Sequence, residues 1–279
     1  MSFRTYHEVA GEDRSGLGAQ VATQRAAVRE RLRTVRHVVA VTSGKGGVGK
    51  SFVTAALAEA IAPRLPHAVG VLDADLGAPT VARLLAADGP LRVESDGVQP
   101  ALGRGGVRVI STDLLLADGE PLAWRAPPAD SFVWRGALEA GILREFLAHV
   151  TWGTLALLLV DLPPGSARLH DLADLVPTLA GALVVTQPAE ASRRAVERTM
   201  HDARRAGVRL LGVVENMRGY RCPGCACTMP LFAGDAGAAL SAAFDVPLLG
   251  ALPFDPSSGA EPDRDAMARL AAAFMEALE

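Results

Sequence analysis

The chain has 279 residues, a formal net charge of −3, 49% hydrophobic residues and 5% aromatic ones. This length suits one α/β domain with a well-buried core and excludes two large domains, while the apolar content excludes disorder over most of the chain. The slightly acidic balance is unlike that of a strongly basic nucleic-acid binder. No apolar run is long enough to span a bilayer, and the N-terminus shows no signal-peptide core, so a soluble cytoplasmic protein is expected.

Residues 1–20 are polar and expected to be poorly ordered. Residues 21–35 read as an amphipathic helix with Val21, Val28, Leu32 and Val35 on one face, decorated by Arg25, Arg29, Arg31, Arg33 and Arg36. Docking of this helix on the domain is favoured over contact with an anionic surface. An α/β rhythm then begins: a strand at 37–42, a Gly-rich loop, a helix from Lys50 that Pro63 stops, and a strand at 68–72 ending on Asp73. Residues 91–102 form a small hairpin or a loop excursion, and 107–111 another strand. Residues 134–150 are helical, and 155–160 is a buried strand ending on Asp161. Strands at 182–186, 209–214 and 248–251 follow, and the chain closes on an amphipathic helix at 264–279. Residues 126–130 and 219–230 read as loops. The alternation predicts an α/β fold with a doubly wound, mostly parallel sheet. Two segments are expected: 1–34, a polar stretch with the amphipathic helix, and 35–279, the catalytic-type domain with a C-x-x-C loop near 217–232.

Gly44-Lys45-Gly46-Gly47-Val48-Gly49-Lys50-Ser51 fits G-x-x-x-x-G-K-[ST] between a strand and a helix, the context that makes this motif specific for a phosphate-binding P-loop. Its glycines let consecutive N–H groups converge on phosphate oxygens at a helix N-terminus. Lys50 is expected to reach the β- and γ-phosphates and Ser51 to ligate Mg²⁺. The 28 basic residues include only two lysines, Lys45 and Lys50, and both lie in this loop. Arginine serves elsewhere, and a compact ammonium is what fits between phosphate oxygens. Asp161, delivered by Leu158-Leu159-Val160, has the pattern of a Walker-B carboxylate that holds Mg²⁺ through water. Gly165, in Pro163-Pro164-Gly165, is expected to bring its N–H near the γ-phosphate. Asp73 and Asp75 end the second strand at the carboxyl edge of the sheet, where ligands bind in such folds.

Three cysteines, Cys222, Cys225 and Cys227, fall within six residues and the rest of the chain has none. One tight cluster suggests metal rather than a disulfide framework. Zinc, an iron–sulfur cluster and a plain thiol loop all use C-x-x-C spacing.

The loop with its second lysine resembles the deviant Walker-A class of MinD, ParA, the nitrogenase iron protein and the Mrp/ApbC family. Trp134-Arg135-Gly136, Val150-Thr151-Trp152-Gly153, Asp161-Leu162-Pro163-Pro164-Gly165, Glu215-Asn216-Met217, Cys222-Pro223-Gly224-Cys225 and Val246-Pro247-Leu248-Leu249-Gly250 all resemble Mrp/ApbC, in order, from about Val35 onward. The resemblance implies a P-loop NTPase that binds ATP and hydrolyses it. It also implies a homodimer with a [4Fe–4S] cluster held between subunits and passed to client apoproteins. By the same resemblance Lys45 crosses to the partner's nucleotide, Asp75 orients the attacking water and Asn216 reads adenine. Cys222 and Cys225, doubled by a two-fold axis, supply the four thiolates a [4Fe–4S] cluster wants, with zinc as the alternative.

The chain departs from the family pattern at Phe52, where a second hydroxyl is usual, at Ala167 and Arg168 after Ser166, and at Ala226. Cys227 is an additional thiol, expected to be a bystander. These departures bear on hydrolysis rate and cluster type rather than on nucleotide binding.

The rivals are a cluster-free ParA- or MinD-like switch, a zinc-stabilised ATPase dimer, and a family member that scaffolds a partner. A DNA-binding face on Arg193, Arg194, Arg198, Arg204 and Arg205 is disfavoured by the interleaved Glu190, Glu197 and Asp202, which predict a salt-bridged solvent face. The net acidic C-terminal helix argues against anionic membranes, and its apolar face (Met267, Leu270, Phe274, Leu278) is expected to dock on the core. Neither nucleic acid nor membrane is expected as a partner.

Overall fold

A computed structural model describes residues 17–89, 91–115, 131–225, 227–256 and 263–279. Residues 1–16, most of the expected poorly ordered segment, and the expected loop at 126–130 lie outside the described residues.

The elements are α1 (Leu17–Arg31), β1 (Val35–Ser43), α2 (Lys50–Ile61), β2 (Val69–Asp73), α3 (Val81–Leu84), β3 (Arg92–Glu94), β4 (Gly97–Gln99), β5 (Ala101–Leu102) and β6 (Arg108–Ile110). They continue with α4 (Ser131–His149), β7 (Leu155–Asp161), α5 (Ala167–Leu175), β8 (Gly181–Thr186), α6 (Glu190–Arg205), β9 (Leu210–Arg221), β10 (Thr228–Met229), α7 (Ala236–Phe244), β11 (Leu248–Phe254) and α8 (Arg264–Leu278).

The central sheet has the order β10-β9-β8-β1-β7-β2-β6-β5, with β11 on the far side of β9. The pairings among β11, β9, β8, β1, β7, β2 and β6 are all parallel. Period-two alternation sorts their side chains onto two faces. Val39, Val41, Leu157 and Leu159 pack with Val53, Leu57 and Ile61 of α2 and with Met267, Leu270 and Phe274 of α8. Their neighbours Val38, Ala40, Leu158 and Val160 pack on the opposite face with Val28 of α1, Leu143 and Leu147 of α4, and Leu169 and Leu172 of α5. Both faces being covered is why these strands read as continuous apolar runs, and the α/β, doubly wound expectation is met.

The N-terminal helix keeps the expected length of 15 residues but lies four residues earlier in the chain than the periodicity predicts. It ends at Arg31, Val35 already belongs to β1, and Val21 is 39% exposed, while Val28 and Leu32 are buried. Arg31 donates to the carbonyls of Ala148 and Asp96, which fastens this helix to the domain. Of the two alternatives for residues 91–102, the hairpin is the one formed, as β3–β4, and β5 follows it. Residues 219–230 are no simple loop: β9 runs on to Arg221 and pairs antiparallel with β10, making a β-hairpin with the cysteines at its tip.

The C-terminal helix docks on the core as expected, with Met267, Leu270, Phe274 and Leu278 all buried. The arginine-rich α6 is laced with salt bridges: Arg193 to Glu190 and Glu197, Arg194 to Glu190, and Arg205 to Asp202. Among the described residues, no helix is long and apolar enough to cross a membrane.

Candidate nucleotide and metal site

The carboxyl ends of the parallel strands converge on the loop between β1 and α2. Gly44 lies against the backbone of α6: a Cβ there would fall 2.2 Å from the Val196 nitrogen, so only glycine permits the approach. Gly49 has φ +80°, a conformation disfavoured for L side chains, and a Cβ on it would meet the Asn216 amide at 2.2 Å. The loop is thus held from two sides, by α6 and by β9.

Inside it, Lys50 and Asp161 form a buried ion pair, with Lys50 Nζ 2.6 Å from Asp161 Oδ2. Ser51 Oγ donates to the same carboxylate oxygen at 2.6 Å, and Lys50 Nζ donates to Ser51 Oγ at 3.3 Å. Thr54 Oγ1 lies 2.7 Å from Asp161 Oδ1 and 3.0 Å from the Lys50 carbonyl. Asp161 is delivered here because β7 pairs with both β1 and β2 in parallel register. Lysine, hydroxyl and strand-end carboxylate, noted at three places in the sequence, therefore meet at one point. Thr54 escaped the sequence reading; its signal was its place one turn beyond Ser51 on the same helix.

Asp73 stands opposite Asp161 in register but turns inward. Its carboxylate accepts from the backbone N–H groups of Asp75, Thr80 and Val81 and from Ser111 Oγ, so it organises the β2–α3 turn. Burial, then the charge of Asp161, push its pKa up to about 7, against the opposing pull of the Val81 N–H, Lys50 and Ser111. Asp75 is half-buried at the mouth of the site. Burial raises its pKa; Lys50 pulls it down, and Asp161 adds to the rise.

Gly165 does not direct its N–H at a phosphate position. It donates to the Ser43 carbonyl at 2.7 Å, a bond that ties the β7–α5 turn to the end of β1. Asn216 is buried and donates from Nδ2 to the Val48 carbonyl at 2.9 Å. Gln187, just past the end of β8 and unremarked in the sequence, donates to the Gly47 carbonyl and to Met217 Sδ, both at 3.0 Å. Lys45 makes no ion pair among the described residues. Phe52 packs against the core, and Arg168 bonds Asp171 and Glu139, so both departures from the family pattern fill structural places.

At the tip of the β9–β10 hairpin the sulfurs of Cys222, Cys225 and Cys227 all lie within 4.8 Å of one another. The Cys222 N–H donates to the Cys227 carbonyl at 2.9 Å, closing the turn and setting Cys227 across from Cys222. The Cys225 and Cys227 sulfurs are 2.7 Å apart. Hydrogen bonding from the Cys227 thiol lowers the Cys225 pKa and raises that of Cys227 itself. The closed turn thus gathers all three thiols, Cys227 included.

These features define a P-loop nucleoside-triphosphatase fold with a second lysine at the start of the loop. The chain belongs to the ParA family in its NUBPL iron-transfer P-loop NTPase branch, whose family model matches residues 34–277. It is 37% identical over 233 residues to a protein named iron–sulfur cluster carrier protein from Saccharolobus solfataricus, covering 82% of this chain and 75% of that one. It is also 37% identical over 241 residues to a protein named cytosolic Fe–S cluster assembly factor CFD1 from Chaetomium globosum, covering 81% of this chain and 76% of that one. Among solved structures, a nucleotide-binding protein from Archaeoglobus fulgidus in complex with ADP, with cobalt found in it, superimposes with a TM-score of 0.69 at 32% identity. That match covers 90% of this chain and 93% of the other. The cell-division ATPase MinD of Pyrococcus furiosus shares the fold, with a TM-score of 0.55 at 20% identity over 87% of this chain and 99% of that one.

Proposed function

We propose that the protein is an ATP-dependent carrier that holds a [4Fe–4S] cluster between two copies of the chain and passes it to apoproteins. One observation carries this reading: β9 bears Asn216, bonded to the phosphate loop, and runs on to Arg221, the residue before Cys222 at the head of the thiol hairpin. The names of the relatives at 37% identity support the cargo.

The donor set suits Mg²⁺. A hydroxyl and a carboxylate, Ser51 and Asp161, are hard oxygen ligands, and the Lys50 ammonium already bonds both as a cation of the protein's own. Bound Mg²⁺ would neutralise phosphate charge. Lys50 would exchange its carboxylate partner for phosphate oxygens, and the loop N–H groups would hold the phosphates. Asp75 would position the attacking water; its raised pKa favours accepting a proton once water is excluded. Lys45, with no ion pair among the described residues, is suited to reach a nucleotide across a two-fold axis.

The surface around the hairpin supports dimerisation. Met229 and Phe254 flank Tyr220 on adjacent strands, and they are exposed apolar side chains, as are Leu231 and Phe232, which follow β10 in the chain. The cargo itself is tested by measuring iron, acid-labile sulfide and zinc after anaerobic reconstitution, in the parent and in Cys222→Ala/Cys225→Ala. About four iron and four sulfide per dimer, lost in the variant, support the carrier. Tightly held zinc or no metal removes the cargo and leaves a nucleotide switch.

A further inference from the structure

The geometry points to a second way of holding metal: Cys222, Cys225 and Cys227 of one chain form a three-thiolate site for a single soft divalent ion, with the fourth coordination position open to solvent. This rests on the carrier reading only in taking iron as the natural metal.

Three observations carry it. The three sulfurs lie within 4.8 Å of one another. Thiolates bound to one tetrahedral ion at about 2.3 Å sit roughly 3.8 Å apart, so one ion can touch all three with small side-chain adjustments. Three corners of an iron–sulfur cube hold their thiolates further apart, so the closed hairpin fits one ion better than three corners of a cluster. The arrangement also belongs to the backbone: the Cys222 N–H to Cys227 carbonyl bond of 2.9 Å makes the turn, with no help from a partner. Finally, Cys225 and Cys227 are exposed while Cys222 is partly covered, so the open side of the triad faces outward.

Such a site has a distinct use. Three thiolates hold a soft ion against loss, and the open fourth position admits a sulfide, a partner's thiolate or a client's thiolate without first breaking a bond. A chain could then be loaded alone, whereas a cluster that draws two thiolates from each subunit forms only in the dimer. Two chains meeting at their hairpins would bring six thiolates, two more than a four-iron cluster uses.

The test is an anaerobic titration of the full-length reduced protein with Co²⁺ alone, followed by thiolate-to-cobalt charge transfer and by the visible bands that mark four-coordinate cobalt. The expected result is one ion per chain at protein concentrations where the chain is monomeric. In Cys227→Ser, which keeps the backbone bond, the loss of affinity should exceed the roughly 10–100-fold that an outer-shell contact is worth. ATP binding by the same variant should equal the parent's, showing that the fold is intact. One ion per two chains with an unchanged spectrum in Cys227→Ser would overturn the inference, as would a parent that takes up no Co²⁺. Neither result decides the carrier reading, which stands or falls on iron and sulfide after reconstitution.

Discussion

Lys50 Nζ lies 2.6 Å from Asp161 Oδ2, with the lysine 6% exposed and the aspartate fully buried. The cation proposed to bind phosphate and the carboxylate proposed to bind metal thus neutralise each other in the free protein. A buried pair of this kind adds little net stability, but removing one member strands the other charge in a dry environment, at about 3–5 kcal/mol. Asp161→Ala should therefore lower the stability of the nucleotide-free protein by that order in urea denaturation, and MgATP should no longer raise its melting temperature. A variant as stable as the parent would mean that the pair does not persist in solution.

Asp75 contributes little to the fold, being half-buried at the mouth of the site, but lies within electrostatic reach of Lys50 and Asp161. Asp75→Ala should bind ATP within a few-fold of the parent and hydrolyse it roughly 100-fold or more slowly, the usual scale for a lost acid–base group. Hydrolysis at the parent rate would remove Asp75 from the mechanism. Single-turnover kinetics beside equilibrium binding separates the two effects.

Asn216→Ala removes the donor that the Val48 carbonyl uses inside the protein. An unsatisfied buried acceptor costs about 1–3 kcal/mol, and the loop it anchors should bind nucleotide correspondingly more weakly. The strand that carries Asn216 leads directly into the thiol turn, so the same variant should alter how fast Cys225 and Cys227 react with a thiol reagent when ATP is added. Reactivity that responds to ATP as in the parent would show that β9 does not connect the two sites.

Gly44→Ala places a methyl 2.2 Å from the backbone nitrogen of Val196. Backbone cannot swing aside as a side chain can, so α6 must shift. The expected result is a protein destabilised by about 1–3 kcal/mol, as for overpacking in a core, with nucleotide binding impaired. Thermal melting and ATP binding check both.

Asp73 carries a pH signature. Its folded-state pKa is raised to about 7 from 3.8 in the unfolded chain. Between these values the folded state keeps a proton that the unfolded state has released, so stability falls as pH rises through this window and levels off above it. Asp73→Asn, which cannot ionise, should flatten the stability–pH curve between about pH 4 and 7. Urea midpoints across that range measure it, and an unchanged slope would assign the pH dependence to other groups.

Much of the site was legible because phosphate chemistry imposes short-range order. A strand, a glycine loop, a lysine and a hydroxyl must be consecutive to wrap a phosphate at a helix start, so residues 44–51 declared themselves. The apolar runs ending on Asp73 and Asp161 were equally clear, since strands covered on both faces leave no alternation to confuse. The boundaries of α1 were not clear: Val35 continues a helical period but is claimed by pairing with Leu155 in the sheet.

What the sequence determined by itself was therefore everything set by neighbours along the chain: the α/β order, the phosphate loop, the strand-end carboxylates and the cysteine spacing. Only the tertiary structure decided which donors are free and which are committed. Gly165 gives its N–H to Ser43, Asp73 turns inward to hold its own turn, Gln187 just past β8 and Asn216 on β9 grip the loop, and Cys227 joins the other thiols. Each outcome depends on parallel strands that bring together residues up to about 170 positions apart, and a hydrogen bond to such a neighbour leaves no pattern in the local sequence.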